Sequence, residues 1–229
     1  MNQINARRQI ETELTELIRM AIRLGKMSEE SLTRAVWALK NQNADVAREI
    51  IKRDDAIDDL ASEIDMACMQ FTARFQPLGE DLRTVSSLMH IAVDLERLGD
   101  YASNISKAAI EVADKELMKP LIDIPRMVEI LSEMLEKSLE ALESKNDALA
   151  YRVFPLDDIV DDLEKQIMRE LLLLMMERPQ RIEQATLLLN VARTLERAGD
   201  HITNVAERAI YIITGKTIKA SAYRRPKEH

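Results

Sequence analysis

The stretch LERLGDYASN at residues 95–104 returns as LERAGDHITN at residues 195–204, and this repetition decides how the chain is organised. Six of the ten positions are identical at an offset of 100 residues. Upstream, DDAIDDL at 54–60 resembles DDIVDDL at 157–163, at an offset of 103. Two blocks that recur in the same order predict an internal duplication. The change of offset from 103 to 100 predicts a shorter turn in the second half.

The residues around these blocks favour helices almost throughout. Hydrophobic residues make up 46% of the chain, and only 5 Gly and 6 Pro occur among 229 residues, so little interrupts a helix. Ile50, Ile57, Ile64 and Phe71 recur every seven residues, the spacing of a buried helix face. Pro155 falls inside a helical pattern, where it predicts a kink or a late helix start. The breaks between patterns predict six long helices, at 6–41, 43–76, 80–115, 124–144, 147–177 and 180–214.

These six helices define the predicted fold class. It is all-α, with two tandem antiparallel three-helix bundles, because short turns between long helices make them antiparallel neighbours. The first bundle covers residues 1–116. The second covers residues 117–229 and ends in a short basic tail.

Charge and cysteine content restrict the environment and the partners. The net charge is −8 and the pI about 5.1, which disfavours binding to nucleic acid and to anionic membranes. The basic stretches at 7–8 and 224–227 are interpreted as aids to solubility. Cys68 is the single cysteine, so no disulfide forms within the chain and a reducing compartment is expected. The first residues lack an apolar signal segment, and the apolar run at 171–176 is too short to span a membrane. We therefore expect a cytoplasmic protein without direct membrane insertion, which reaches the inner face of a membrane only by recruitment through a partner.

Acidic side chains recur at helical spacing in both repeats. Glu96 and Asp100 are four residues apart and share one helix face, as do Asp54 and Asp58 on the preceding helix. Because consecutive helices of a bundle are neighbours, the two pairs can form one patch of four carboxylates. The second half repeats the arrangement with Asp157, Asp161, Glu196 and Asp200.

Carboxylates gathered in this way require positive charge nearby. Arg97, with its counterpart Arg197, is one candidate, and a metal ion is the other. Carboxylate oxygens suit Mg²⁺, Ca²⁺, Mn²⁺ or iron, whereas zinc usually recruits His or Cys. His201 is interpreted as a structural imidazole, with a metal role as the weaker alternative. Gly99 and Gly199 recur in mid-helix, which predicts close helix approach or space beside the acids.

Two alternatives remain open for these acids. They can lie on solvated helix faces and bind nothing, which makes the protein a structural or scaffolding bundle. They can also belong to a carboxylate-bridged di-metal oxidase, but such sites use Glu-x-x-His motifs on two helices, and this sequence has none. Nothing else in the sequence resembles a catalytic motif, so we expect no enzymatic activity.

The doubled Leu-Glu-Arg-x-Gly-Asp-x-x-x-Asn motif, each copy preceded by an Asp-x-x-x-Asp helix, resembles the PhoU family of bacterial phosphate regulators. The resemblance covers residues 6–215 and both repeats. It implies a cytoplasmic homodimer that binds iron or another metal such as Mg, Mn, Ca or Zn. It also implies negative regulation of high-affinity phosphate uptake and of phosphate-starvation signalling, through a sensor histidine kinase (PhoR-like) and a transporter ATPase (PstB-like). The implied metal ligands are Asp54, Asp58, Glu96, Asp100, Asp157, Asp161, Glu196 and Asp200.

Overall fold

The computed structural model describes the backbone of residues 2–225 and the side chains of residues 7–225. This part of the chain folds into α-helices joined by turns and short 3-10 segments, without strands, which confirms the all-α fold class. The 3-10 turns cover Pro179–Arg181 and Ala220–Ala222. The α-helices are α1 (Asn2–Lys40), α2 (Ala44–Arg53), α3 (Asp55–Phe75), α4 (Gly79–Val112), α5 (Asp123–Ser144), α6 (Asp147–Tyr151), α7 (Val153–Glu177) and α8 (Ile182–Thr214).

Two of the six predicted helices are interrupted. The helix predicted at 147–177 breaks at Arg152, and Pro155 becomes the third residue of α7, which confirms the late start expected from that proline. The helix predicted at 43–76 breaks at Asp54, although no glycine or proline lies near this position. There the amide of Ile57 donates to the carbonyl of Asp54 over 2.8 Å, a tight three-residue spacing that marks the start of α3.

The turn after the first helix of each half repeats in detail. Gln42 and Lys145 both take left-handed backbone angles, with φ of 53° and 54°. Each is followed by an asparagine whose side chain caps the next helix: Asn43 accepts from the amide of Val46, and Asn146 accepts from that of Ala148. These matched turns support the duplication at positions outside the two sequence blocks.

The prediction of a shorter turn in the second half is wrong. Residues 76–78 connect α3 to α4, whereas the longer stretch 178–181 connects α7 to α8. Gln76 ends α3 with a φ of 47°. Pro179 occupies the matching position in the second half, where its ring prevents a positive φ. The chain therefore passes through a 3-10 turn at this position. The offset changes because α8 begins closer to its LERAGD block than α4 does to its LERLGD block.

The two halves pack against each other through their last helices and through their first helices. In the first half α4 lies against α1, α2 and α3, and in the second half α8 lies against α5, α6 and α7. The helices α4 and α8 also contact each other, as do α1 and α5, so the buried apolar residues form one continuous core. The predicted boundary between residues 116 and 117 falls in the segment 113–122 that joins α4 to α5, and remains a prediction. Among the described residues, no helix has the length and apolar character needed to cross a bilayer.

Candidate metal centres in the two halves

The structure brings the first four predicted acids together where α3 begins beside α4. We call Asp54, Asp58, Glu96 and Asp100 the first acidic cluster. Partial burial, followed by the negative charge of Asp100, raises the pKa of Glu96. Partial burial, followed by the charges of Asp54 and Asp100, likewise raises the pKa of Asp58. Acids from both helices therefore lie close enough to oppose each other's ionisation, as the repeated spacing predicts.

Asp54 is held in place by two features of α4. The hydroxyl of Ser103 donates a 2.6 Å hydrogen bond to its Oδ2 atom. At Gly99, a Cβ atom would lie 3.2 Å from Asp54 Oδ1 and 3.0 Å from Ile57 Cγ2. Of the two roles predicted for this glycine, close helix approach is confirmed, because a Cβ atom here would press against both Ile57 and the carboxylate of Asp54.

Arg97, one of the two candidates for the positive charge, pairs with acids of the first acidic cluster. Its Nη1 atom lies 2.8 Å from Asp100 Oδ2, and its Nε atom lies 3.8 Å from Glu96 Oε2. The arginine side chain is half exposed, so water screens this pairing and leaves it weak.

The second half gathers its acids around a buried carboxylate. We call Asp157, Asp161, Glu196 and Asp200 the second acidic cluster. Asp157 is only 1% exposed, and burial raises its pKa to about 7, an effect that Arg224 opposes and that Asp161 and Asp200 reinforce. A Cβ atom at Gly199 would lie 2.6 Å from Asp157 Oδ1, so only glycine fits opposite this carboxylate without a shift. Glu196 is half-buried on α8, at the position that matches Glu96.

A cation from the end of the described chain enters the second acidic cluster. The guanidinium of Arg224 contacts the carboxylate of Asp157, lies 3.3 Å from Asp200 Oδ1 and donates to Thr203 Oγ1 over 3.4 Å. Arg225 follows, with its backbone amide 2.9 Å from Asp158 Oδ2. The interpretation of 224–227 as a solubility tail is therefore wrong for these two arginines, while residues 226–227 lie outside the described residues. Sequence reasoning missed this contact because no pattern links two segments so far apart.

Arg7, in the other basic stretch, is also more than a solubility aid. Its guanidinium pairs with Asp81 of α4 over 2.5 Å and with Glu11 over 2.9 Å, and so ties the start of α1 to the start of α4.

The residues of both clusters suit a hard cation in their chemistry. Each cluster offers only carboxylate oxygens, and the buried Oδ2 atom of Asp157 is the atom that the Arg224 guanidinium contacts. The side chains are nevertheless not arranged as a finished coordination sphere. Across residues 7–225, no set of three or more His, Cys, Asp or Glu side chains is placed to hold a metal ion. Metal binding by these acids therefore remains a prediction.

His201 takes part in a network at the seam between α4 and α8. Its Nδ1 atom lies 2.8 Å from Asp94 Oδ1, and its Nε2 atom lies 3.2 Å from the hydroxyl of Tyr101. The amide of Asn204 donates to the same Asp94 oxygen over 3.2 Å. The structural interpretation of this imidazole is confirmed, since both of its nitrogens have partners. The sequence offered no signal for Asp94 or Tyr101, because in each case the residue 100 positions later is of a different type.

The duplicated layout is shared with known proteins. The family model described as PhoU domain matches the chain twice, at residues 21–109 and 124–209. A "phosphate-specific transport system accessory protein PhoU homolog" from Clostridium acetobutylicum is 39% identical over 93% of this chain and 97% of its own length. A protein of the same description from Aquifex aeolicus is 40% identical over 90% of this chain and 94% of its own length.

Solved structures agree with these sequence matches. The crystal structure of PhoU from Pseudomonas aeruginosa superposes with a TM-score of 0.86 and 31% identity, covering 90% of this chain and 99% of that one. The phosphate transport system regulatory protein PhoU from Streptococcus pneumoniae gives a TM-score of 0.84 and 29% identity, covering 92% of this chain and 99% of that one.

Proposed function

Because the chain belongs to the PhoU family, we propose that it regulates phosphate uptake as an accessory protein of a phosphate-specific transport system. In this proposal it is a cytoplasmic homodimer without catalytic activity. It restrains the high-affinity transporter and represses phosphate-starvation signalling when phosphate is plentiful. Its partners are a sensor histidine kinase (PhoR-like) and the transporter ATPase (PstB-like).

The duplicated acidic clusters carry the second part of the proposal, which is metal binding. The eight ligands are those implied by the family resemblance, and the metal is iron, with Mg, Mn, Ca and Zn as alternatives. A bound metal would neutralise carboxylates that oppose each other's ionisation and would link α3 to α4 and α7 to α8. The hydrogen bond from Ser103 to Asp54, and the absence of a Cβ atom at Gly99 and Gly199 next to the carboxylates, are the contacts that support this part of the proposal.

Acidic surface charge supports a docking role for the protein. With a net charge of −8, the protein attracts basic surfaces of partner proteins, which speeds association and favours correct partners. Asp58 and Asp200 are exposed, so a metal bound in either cluster also alters the charge that an approaching partner meets.

Metal binding is tested by elemental analysis of protein purified without chelator or affinity-metal resin. We expect metal in the wild type and a clear loss in Glu96→Gln. Glu111→Gln, which changes an exposed acid further along the same helix, is the matched control and should retain the wild-type metal content. If the clusters are purely structural, Glu96→Gln leaves the metal content unchanged. It then stabilises the fold by about 0.2–0.5 kcal/mol, because repulsion between neighbouring acids is relieved.

The regulatory role is tested in the native host. We expect deletion of the gene to raise phosphate uptake and starvation-gene expression in phosphate-rich medium, and the wild-type gene to restore both. A pull-down with the wild-type protein should recover the kinase or the transporter ATPase in a phosphate-dependent manner. Normal uptake and normal gene expression after deletion would contradict the proposal.

A further inference from the structure

The acidic face of the second half is occupied by a segment of the same chain. We call residues 219–225 the C-terminal segment. Its 3-10 turn buries Ala220, whose backbone amide donates to Glu207 Oε1 over 2.6 Å. The ring of Tyr223 stacks on Phe154, with 5.7 Å between the ring centres. These contacts deliver the two arginines that follow to the acids of α7 and α8.

Arg224 and Arg225 share one set of acceptors on these two helices. The side chain of Arg224 is only 14% exposed, and Arg225 contributes both its guanidinium and its backbone amide. The acceptors are four carboxylates and one hydroxyl, which belong to Asp157, Asp158, Asp162, Asp200 and Thr203. The second half therefore shows which ligand its acidic face accepts, namely two consecutive arginines.

Each of these acceptors has an equivalent of the same chemical type in the first half. The residues 103 positions before the three acceptors of α7 are aspartates, and those 100 positions before the two acceptors of α8 are an aspartate and a serine. We call the five equivalents the first-half face: Asp54, Asp55, Asp59, Asp100 and Ser103. Because α3 lies beside α4 as α7 lies beside α8, the duplication has kept the complete set of acceptors.

In the part of the chain that the structure describes, the first-half face lacks a docked segment of its own. Asp55 and Asp59 are exposed, and Asp54 is half-buried. No basic side chain among the described residues forms an ion pair with any of these three. Arg97 pairs with Asp100, but its side chain is 51% exposed, so water screens this pair. The first half thus has the acceptors for two arginines without a segment that supplies them.

We infer that the first-half face is a docking site for a partner protein that presents two consecutive arginines on a short segment. The C-terminal segment is held by the second half of its own chain, so the occupant of the first-half face comes from another protein. A guanidinium suits the face because its planar fork of donors can bind two carboxylates at once. The inference rests on the docking role proposed above and needs no bound metal.

The two faces differ beside the arginine positions. In the second half the ring of Tyr223 packs on Tyr151 and Phe154. The matching positions in the first half hold Arg48 and Ile51, which offer no aromatic platform. The first-half face therefore selects for the two arginines and not for an aromatic residue before them.

The experiment measures the binding of a fluorescein-labelled peptide to the full chain by fluorescence polarisation, with EDTA present. The peptide has the sequence of residues 219–226 with Tyr223→Ala, so that it competes poorly for the second half. We expect it to bind the wild-type protein. A second peptide, in which lysines replace both arginines, keeps the charge but loses the forked donors and should bind at least about fivefold more weakly. Equal binding of the two peptides would overturn the inference.

Substitutions in the protein locate the bound peptide. Asp55→Asn combined with Asp59→Asn should weaken binding about tenfold, because two partners of the peptide's arginines are lost. Asp45→Asn combined with Asp114→Asn is the matched control. It changes the net charge by the same amount at two exposed positions outside the first-half face and should stay within about twofold of wild type. Equal weakening by the two pairs would overturn the inference.

Two further outcomes would also overturn it. Asp158→Asn combined with Asp162→Asn should not weaken binding, and a loss as large as that of the first-half pair would place the peptide in the second half. In sedimentation equilibrium, Arg224→Ala combined with Arg225→Ala should leave the oligomeric mass unchanged, whereas a lower mass would identify a second copy as the occupant. The proposed function fails differently: deletion of the gene would then leave phosphate uptake unchanged, whatever the peptide does.

Discussion

The Nδ1 atom of His201 lies 2.8 Å from Asp94 Oδ1, and this pair joins the last helix of the second half to the last helix of the first. Tyr101 and Asn204 complete the network from the same two helices. The contact lies within LERAGDHITN on one side and just before LERLGDYASN on the other. The repeated blocks thus line the seam between the halves as well as the acidic clusters.

Removing Asp94 should weaken this seam. Asp94→Ala leaves His201 and Asn204 without their shared acceptor, and we expect a loss of about 1–2 kcal/mol in the free energy of unfolding. Urea denaturation measures this loss. Asp114→Ala, at an exposed position after the end of α4, is the control and should stay within about 0.5 kcal/mol of wild type. Equal effects of the two substitutions would show that the network adds nothing to stability.

Gly199→Ala should destabilise the protein even though alanine is the better helix former. Within a helix the exchange normally gains about 1 kcal/mol, but here the new Cβ would lie 2.6 Å from Asp157 Oδ1. We expect a net loss of about 1–3 kcal/mol, typical of overpacking, in thermal or urea unfolding.

A double-mutant cycle isolates this clash. With Asp157→Ala already in place, the opposing oxygen is gone, and Gly199→Ala should then be neutral or stabilising. The prediction fails if Gly199→Ala costs the same with and without the carboxylate.

Ser103→Ala should lower the free energy of unfolding by more than the removal of a single hydroxyl group suggests. The substitution removes the 2.6 Å hydrogen bond to Asp54 and leaves that carboxylate with less compensation, for which we expect about 1–3 kcal/mol at neutral pH. Ser86→Ala, at an exposed position on the same helix, is the control. Chemical denaturation of both variants without metal provides the comparison, and a cost for Ser103→Ala no larger than that of Ser86→Ala would refute it.

Asp157 should make stability depend on pH. Its pKa is about 7 in the folded protein against 3.8 for an ordinary aspartate. Between these values the unfolded chain has lost the proton and the folded chain retains it, so this group's contribution to stability falls as pH rises from about 4 to 7 and is lowest above 7. Asp157→Asn removes the dependence.

Urea unfolding from pH 4 to pH 8, with chelator present, tests this prediction. The stability of Asp157→Asn relative to wild type should increase with pH, by about 1 kcal/mol per pH unit at most, and then level off above pH 7. A difference between the two proteins that is constant over this range would rule out a raised pKa for Asp157.

Most of the helical framework could be predicted because its signals are local. The capped turns at Asn43 and Asn146 were anticipated as breaks, and Pro155 as a late helix start, since a proline or a polar turn acts on its immediate neighbours. The break at Asp54 was missed, because it depends on how α2 and α3 pack against α4. The length of the turn at Pro179 was predicted wrongly. A change of offset shows that residues were gained or lost between the two blocks, but it does not show whether the turn or a helix became shorter.

The acidic clusters could be predicted only in part. Helical spacing puts Glu96 and Asp100 on one face, and duplication repeats that face, so the gathering of acids follows from sequence alone. The burial of Asp157 beside Gly199 does not follow from it, since burial depends on the distance between two helices.

The sequence by itself determined an all-helical chain, its duplication and the position of eight acids on matching helix faces. The helices and their acidic faces can be read from residue spacings of three, four or seven, and the duplication can be read by comparing two segments directly. Only the tertiary structure decided which cation neutralises each cluster. Arg97 lies one helical turn from Asp100, whereas Arg224 meets Asp157 from 67 positions along the chain. The ordering of so distant a segment depends on the packing of Ala220 and Tyr223, which no local pattern records.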